Sequence, residues 1–155
     1  MQRCMKLGIV LLLLCSIGMP VRAQARAADI QSTIDALRAA TLAGDIDGAL
    51  ALYAPNATVV SPFGSFTGQE ALRGFYTAFL AQNADLSITF SDRQTAFFTE
   101  VHRSTLSSAG IHAAGFDHIV FLETDVVPND RITSVTILLD LSDPETAQYA
   151  QMLGG

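Results

Sequence analysis

The stretch YAPNATVVSPFGSFTGQEALRGFY, residues 53–76, decides how the chain is organised. Tyr53 completes an apolar helical spacing that runs through Ile46, Ala49 and Leu50, with Asp45 placed to cap its start and Pro55 and Asn56 placed to stop it. Thr58-Val59-Val60-Ser61 is short and β-branched, a strand, and Pro62-Phe63-Gly64 punctuates a loop after it. Thr67 and Glu70 then form a Thr-x-x-Glu capping box ahead of Leu72, Phe75, Tyr76 and Phe79, whose spacing is that of one helical face.

Upstream, Ile30, Ile34, Leu37 and Thr41 recur at helical spacing as far as Gly44, which suits a C-terminal cap, so two helices meet at that glycine. Beyond Asn83 the pattern becomes β-rich: Leu86–Ser91, about Ala96–Leu106, about Gly115–Glu123 and Ile132–Leu141, divided by turn signals at Ser107–Gly110 and Pro128-Asn129-Asp130. Asp143 before Pro144 opens a short closing helix over residues 144–152. The order α-α-β-α-β-β-β-β-α implies an α+β cone, three N-terminal helices packed over the concave face of a curved antiparallel sheet.

The N-terminus reads differently. Arg3 and Lys6 precede an uncharged apolar run, Leu7 to Met19, followed by Pro20 and Val21-Arg22-Ala23, the pattern of a secretory signal peptide over residues 1–23. The run is shorter than the ~18 residues of a membrane-spanning helix. Residues 24–155 then form one exported domain, secreted or periplasmic, with no membrane attachment after cleavage. Cleavage removes Cys4, Cys15 and Lys6, so this domain folds without disulfides around a core and has no lysine for a Schiff base or thiolate for nucleophilic attack. Of the 9 basic residues Arg3, Lys6 and Arg22 are also lost, leaving 6 against 15 acidic ones, a charge of −9 that argues against nucleic acid as a partner. His102, His112 and His118 lie at spacings that give no metal motif, and no cofactor is expected.

The element order resembles the nuclear transport factor 2-like superfamily, which includes ketosteroid isomerases and SnoaL-like polyketide cyclases. The resemblance covers about residues 28–141 and is most specific in AGDIDGALALYAPNATVVSPFGSFTGQEALRGFY, residues 43–76, with a second echo in Phe116-Asp117-His118. It implies a cavity for a small apolar, carbonyl-type molecule and a homodimer formed through the sheet. It also implies where catalytic groups would lie. The isomerases' general base falls on Ser61, which cannot act as one near neutral pH, and their oxyanion tyrosine falls on Leu37. Asp117 matches their second aspartate, which an apolar site holds neutral.

Alternation along Gly115–Glu123 sets Ile119 and Phe121 on the Asp117 side of the sheet, a setting that favours the neutral acid. An exposed or backbone-bonded aspartate is the structural alternative. A turn at Ala109-Gly110 or over Ser107–Gly110 brings Glu100 and His102 beside Asp117, whereas a three-residue Ser108–Gly110 turn brings Val101 and Arg103 there instead. The candidate acid–base residues are thus Asp117, His102 and Glu100, and the candidate cavity residues are Tyr53, Ser61, Phe63, Tyr76, Ile119 and Phe121. Two functions remain open: an isomerase, cyclase or dehydratase type of acid–base enzyme, and a domain that binds an apolar ligand or dimerises without catalysis.

Export should leave a mature chain starting after Ala23 or Ala25. N-terminal sequencing of protein recovered from periplasm or medium checks this, and an intact Met1 in a membrane fraction would contradict it.

Overall fold

The structure, a computed structural model, describes residues 21–154. The apolar run before Pro20 lies outside the described residues, and the expected cleavage positions after Ala23 and Ala25 fall within the first helix, α1 (Val21–Leu42). No described helix is long and apolar enough to cross a membrane. Helix α1 buries Ile30, Ile34 and Thr41, and Gly44 ends it with φ +68°, a left-handed conformation that glycine adopts without strain. Asp45 caps α2 (Ile46–Ala51) by accepting the Gly48 N–H at 2.8 Å, as its position in the sequence implies.

Tyr53 does not end that helix. It opens strand β1 (Tyr53–Ser61), where it pairs with Ile132, while the carbonyl of Leu52 accepts the Ile132 N–H at 2.9 Å. Sheet pairing overrides the helical spacing, and Pro55 and Asn56 fall where the ladder is irregular, between Tyr53 and Thr58, so the missing proline N–H breaks no regular pairing. The glycine-punctuated loop is likewise a tight turn into strand β2 (Gly64–Thr67), closed by Ser61, whose hydroxyl accepts the Phe63 N–H and donates to the Gly64 carbonyl. Thr67 precedes helix α3 (Gly68–Gln82) but makes no side-chain cap; its hydroxyl pairs with that of Thr58 across the hairpin at 3.0 Å. A cross-strand partner has replaced the capping box.

Strands β3 (Ser87–Ala96), β4 (Thr99–Ser107), β5 (Ile119–Val126) and β6 (Ile132–Leu139) complete a six-stranded curved sheet of order β2-β1-β6-β5-β4-β3, antiparallel except for β1 beside β6. The turn expected between β4 and β5 is a short helix, α4 (Ala109–Ala113). Ser108 caps it, accepting the Ile111 N–H and donating to Asn83 Oδ1 at 2.6 Å. Gly110 admits no side chain, since a Cβ there would lie 2.6 Å from the Gln82 carbonyl oxygen. Helix α5 (Pro144–Gly154) closes the chain, its first turn capped by Asp143 accepting the Thr146 N–H at 2.8 Å.

The main core gathers Ile34, Leu50, Val59, Leu72 and Ile132 between the helices and the β1–β6 side of the sheet; a smaller one surrounds Leu106, Ile119 and Phe121. Leu72 has no exposed surface, whereas Leu138 on the outer face of β6 is 56% exposed. Leu72→Ala should cost about 2–5 kcal/mol and Leu138→Ala less than about 0.5 kcal/mol in denaturant unfolding. Equal losses at the two positions would contradict this placement of the core.

Candidate functional site: an acidic cluster at the inner end of an apolar cavity

Alternation along β4 turns Glu100, His102, Ser104 and Leu106 inward. Their partners on β5 are Asp125, Glu123, Phe121 and Ile119 respectively. The even-numbered register of β4 is therefore the one realised, and Arg103 lies on the other face, paired with Asp140 at 2.5 Å. On β3 the alternation would carry Asp92 inward after Ile88 and Phe90. A bulge intervenes: the register shifts between Ser91 and Gln94, and Asp92 takes φ +53°. The extra residue changes the parity and sends Arg93 inward instead.

Arg93 donates to Glu100 Oε1 at 2.6 Å, to Asp35 Oδ1 of α1 at 2.8 Å and to the Gln31 carbonyl at 3.3 Å. Glu100 and His102 have no exposed side-chain surface. His102 Nδ1 lies 3.5 Å from Glu100 Oε1 and 3.5 Å from Asp125 Oδ2, and its Nε2 lies 3.8 Å from Glu123 Oε2. Neither ring nitrogen has a hydrogen-bond partner among the described residues, and Glu100 Oε2 and Asp125 Oδ2 share that condition. Burial, with the Arg93 charge nearby, lowers the His102 pKa from 6.5 to about 4, so the imidazole is neutral. Burial raises Glu123 from 4.5 to about 7, although the Ser104 hydroxyl beside it favours the ionised form. Burial, then the charges of Glu123 and Glu100, push Asp125 well above the usual carboxylate range.

Two adjoining cavities lead to this cluster. The outer one, about 510 Å³, is lined chiefly by apolar side chains of α3, α4, β5 and α5, with Gln82 and Asn83. The inner one, about 100 Å³, shares Phe63, Phe75, Phe79, Leu106 and Phe121 with it and adds Leu37, Ser61, Tyr76, Ser104 and Glu123. The Tyr76 hydroxyl bonds the Tyr53 hydroxyl at 2.8 Å, and burial raises both phenols so that they stay protonated. Of the expected cavity residues, Ser61, Phe63, Tyr76, Ile119 and Phe121 line one cavity or both, and Tyr53 supports the wall through Tyr76.

Asp117 is the correction. It is exposed in the bend before β5 and lines neither cavity. Helix α4 and the turn at Gly115, φ +93°, lift the chain off the sheet, so the expected strand from Gly115 begins only at Ile119. Glu145 of α5 fixes the bend by accepting the Asp117 and His118 N–H groups at 2.8 and 3.1 Å. His118 bonds Asp143 at 3.2 Å and His112 bonds Ser107 at 3.0 Å, both away from the cluster. Glu100 and His102 come together as expected, but around Asp125 and Glu123.

A family model, the SnoaL-like domain, matches residues 34–133. The chain belongs to the SnoaL-like family. Its curved sheet with helices packed against it is the nuclear transport factor 2-like fold. Similar solved structures include a protein from Sinorhizobium meliloti provisionally called a polyketide cyclase, at 14% identity over 72% of this chain and 97% of that one, with a TM-score of 0.62. Another, from Kribbella flavida and provisionally called a ketosteroid isomerase, has 12% identity over 74% of this chain and 79% of that one, with a TM-score of 0.61. TerC, crystallised with polyporic acid, has 14% identity over 82% of this chain and 99% of its own, with a TM-score of 0.62. At these identities the likeness is one of fold. No curated protein matches the sequence.

The SnoaL-like cavity thus carries its carboxyl at Glu123, which sequence reasoning missed together with Asp125, Ser104 and Arg93. The alternation that placed Ile119 and Phe121 inward reaches Glu123 and Asp125 when continued, so the signal was present for both. Arg93 had no such signal, because the bulge reverses its side. His102, Glu123 and Asp125 each offer a metal-type donor atom within 4.8 Å of the others.

The two printed shifts act on stability in opposite senses. Glu123, raised in the fold, contributes stability that is complete below pH 4.5 and is lost as pH rises towards about 7; His102, lowered, contributes stability that is present above pH 6.5 and is lost as pH falls towards about 4. Glu123→Gln removes the first effect only. Its melting temperature relative to the parent should therefore rise between pH 4.5 and pH 7.5, and a pH-independent difference would show that Glu123 is solvated.

Proposed function

We propose that this chain is an exported SnoaL-like protein that binds a small apolar carbonyl compound and moves a proton on it, with Glu123 as the acid–base group. The observation that carries this reading is the position of Glu123: among the described cavity-lining residues it is the one carboxyl, set in a chiefly apolar wall and retaining 18% side-chain exposure. Its pKa of about 7 leaves both protonation states populated near neutrality, as a group that accepts and then returns a proton requires. The provisional names of two neighbours, a polyketide cyclase and a ketosteroid isomerase, and the crystallisation of TerC with polyporic acid support a carbonyl compound as the ligand class of this reading.

In this mechanism Glu123 takes a proton from the carbon next to the carbonyl. Tyr76 lines the same cavity, and in this reading its hydroxyl, backed by that of Tyr53, donates to the oxygen on which negative charge develops. Phe63, Phe75, Phe79 and Phe121 hold the apolar body of the ligand and keep water from the enolate. Return of the proton to another carbon gives isomerisation, and its delivery to a departing oxygen gives dehydration. Ser61 and Leu37 line the inner cavity where the isomerase resemblance sets a base and a tyrosine, so ordinary ketosteroid isomerisation is not expected. The second reading, a ligand-binding protein without catalysis, is favoured by the roomier outer cavity, whose described lining carries no charge.

The test uses 2-tetralone, a small bicyclic ketone, with deuterium uptake at its acidic carbon followed by NMR. The parent should accelerate uptake, with a rate that rises with pH and levels off above about 7. Glu123→Gln should lower it ~10²–10⁴-fold while ketone binding persists. Binding without acceleration by the parent would establish the second reading, and isomerase-like turnover of a 5-ene-3-ketosteroid would refute the exclusion drawn from Ser61 and Leu37.

A further inference from the structure

The buried groups behind Glu123 have no place in the mechanism above, and their geometry is anomalous. A histidine with no exposed surface leaves both ring nitrogens unpartnered, although a carboxyl oxygen stands 3.5–3.8 Å from each. Buried polar atoms cost free energy unless they are hydrogen-bonded, so a movement of up to about 1 Å that closes these gaps to hydrogen-bond distance is favoured. The ring cannot bond all its neighbours through one tautomer in the same way. Each nitrogen either donates its proton or accepts one, and the carboxyl facing it must hold the complementary state.

We propose that His102 is a neutral relay through which Glu123 and Asp125 share one proton. In one state Glu123 carries the proton and donates to Nε2, while Nδ1–H donates to the Asp125 carboxylate. In the other, the Glu123 O–H bond has broken and Nε2–H has formed, Nδ1–H has broken and the Asp125 O–H has formed. The imidazole changes tautomer and never becomes a cation, one proton is conserved, and every nitrogen is bonded in both states. The lowered His102 pKa and the raised pKa values of both carboxyls agree with this arrangement.

The remaining charges surround the ring on every side. Arg93 of β3 holds the Glu100 carboxylate of β4, whose Oε1 lies 3.5 Å from Nδ1 and offers that N–H a second acceptor. Asp35 of α1 neutralises the far side of Arg93, and Arg38 of α1 stands over Phe90, which packs on the His102 ring at 4.3 Å. Tyr53 of β1 and Tyr76 of α3, near enough to feel the charges of Asp125 and Glu123, remain protonated. Parking the proton on Asp125 keeps Glu123 ionised on the cavity side, ready to act as a base. This last consequence rests on the proposed function; the shared proton itself does not and is read without any substrate.

The experiment is nitrogen-15 NMR of the His102 ring with carbon-13 NMR of the two carboxyls, on the ligand-free mature protein between pH 5 and pH 9. The ring should stay neutral, with both nitrogen signals lying between the protonated and bare limits near pH 7. They should move in opposite directions as the Glu123 carboxyl titrates. Asp125→Asn, which cannot take up the proton, should lock Nδ1–H and move the two signals to their limits; Asp125→Glu should restore the intermediate values. A single tautomer across the range in the parent, an imidazolium at pH 7, or a transition metal found in the purified protein by elemental analysis would each overturn the proposal. Loss of ketone exchange in Glu123→Gln tests the function separately, so either result can fail alone.

Discussion

Glu100 has no exposed side-chain surface, and a carboxylate removed from water that completely needs a cation in contact. Arg93 supplies it, and the rest of the site follows from how Arg93 reaches that position. An unbroken β3 would point Arg93 to the outer face and Asp92 towards two inward acids. The bulge at Asp92 exchanges them, at the cost of a positive φ in a non-glycine residue. The same guanidinium bonds Asp35 and the Gln31 carbonyl, so it also fastens α1 across the end of the sheet. One irregularity in one strand thus satisfies a buried charge, docks a helix and leaves His102 facing acids on both sides.

Much of the fold was legible because periodicity and turn chemistry agree. Asp45, Gly44 and Asp143 cap where their positions imply, and α3 presents the face written by Leu72, Phe75, Tyr76 and Phe79. The failures have one cause in common: a tertiary partner replaced a local one. Tyr53 left its helical spacing for Ile132, and Thr67 left its capping box for Thr58. The site was legible in part. Glu100 and His102 could be placed by register, and Ile119 and Phe121 by alternation, but Asp117 rested on a strand start that α4 and Gly115 displaced by a few residues. The resemblance to the isomerases drew attention to an Asp-His pair at the strand's entrance, while the inward carboxyls stood further along the same strand.

Glu123 and Asp125 show why position along one strand matters more than residue type. Both are carboxyls on the inward face of β5, both are raised by burial, and they are two residues apart. Glu123 opens to the cavity and has Ser104 beside it; Asp125 faces Glu100 in the register and has almost no exposed surface. A group with access to a ligand can exchange protons with it, and a group without access can only hold one. Environments that differ in this way divide roles between like residues, and a histidine in contact distance of both is the group able to connect them. The neutral state of that histidine is set first by burial and then by Arg93, so the bulge that brings Arg93 inward also contributes to keeping the ring between the two acids uncharged.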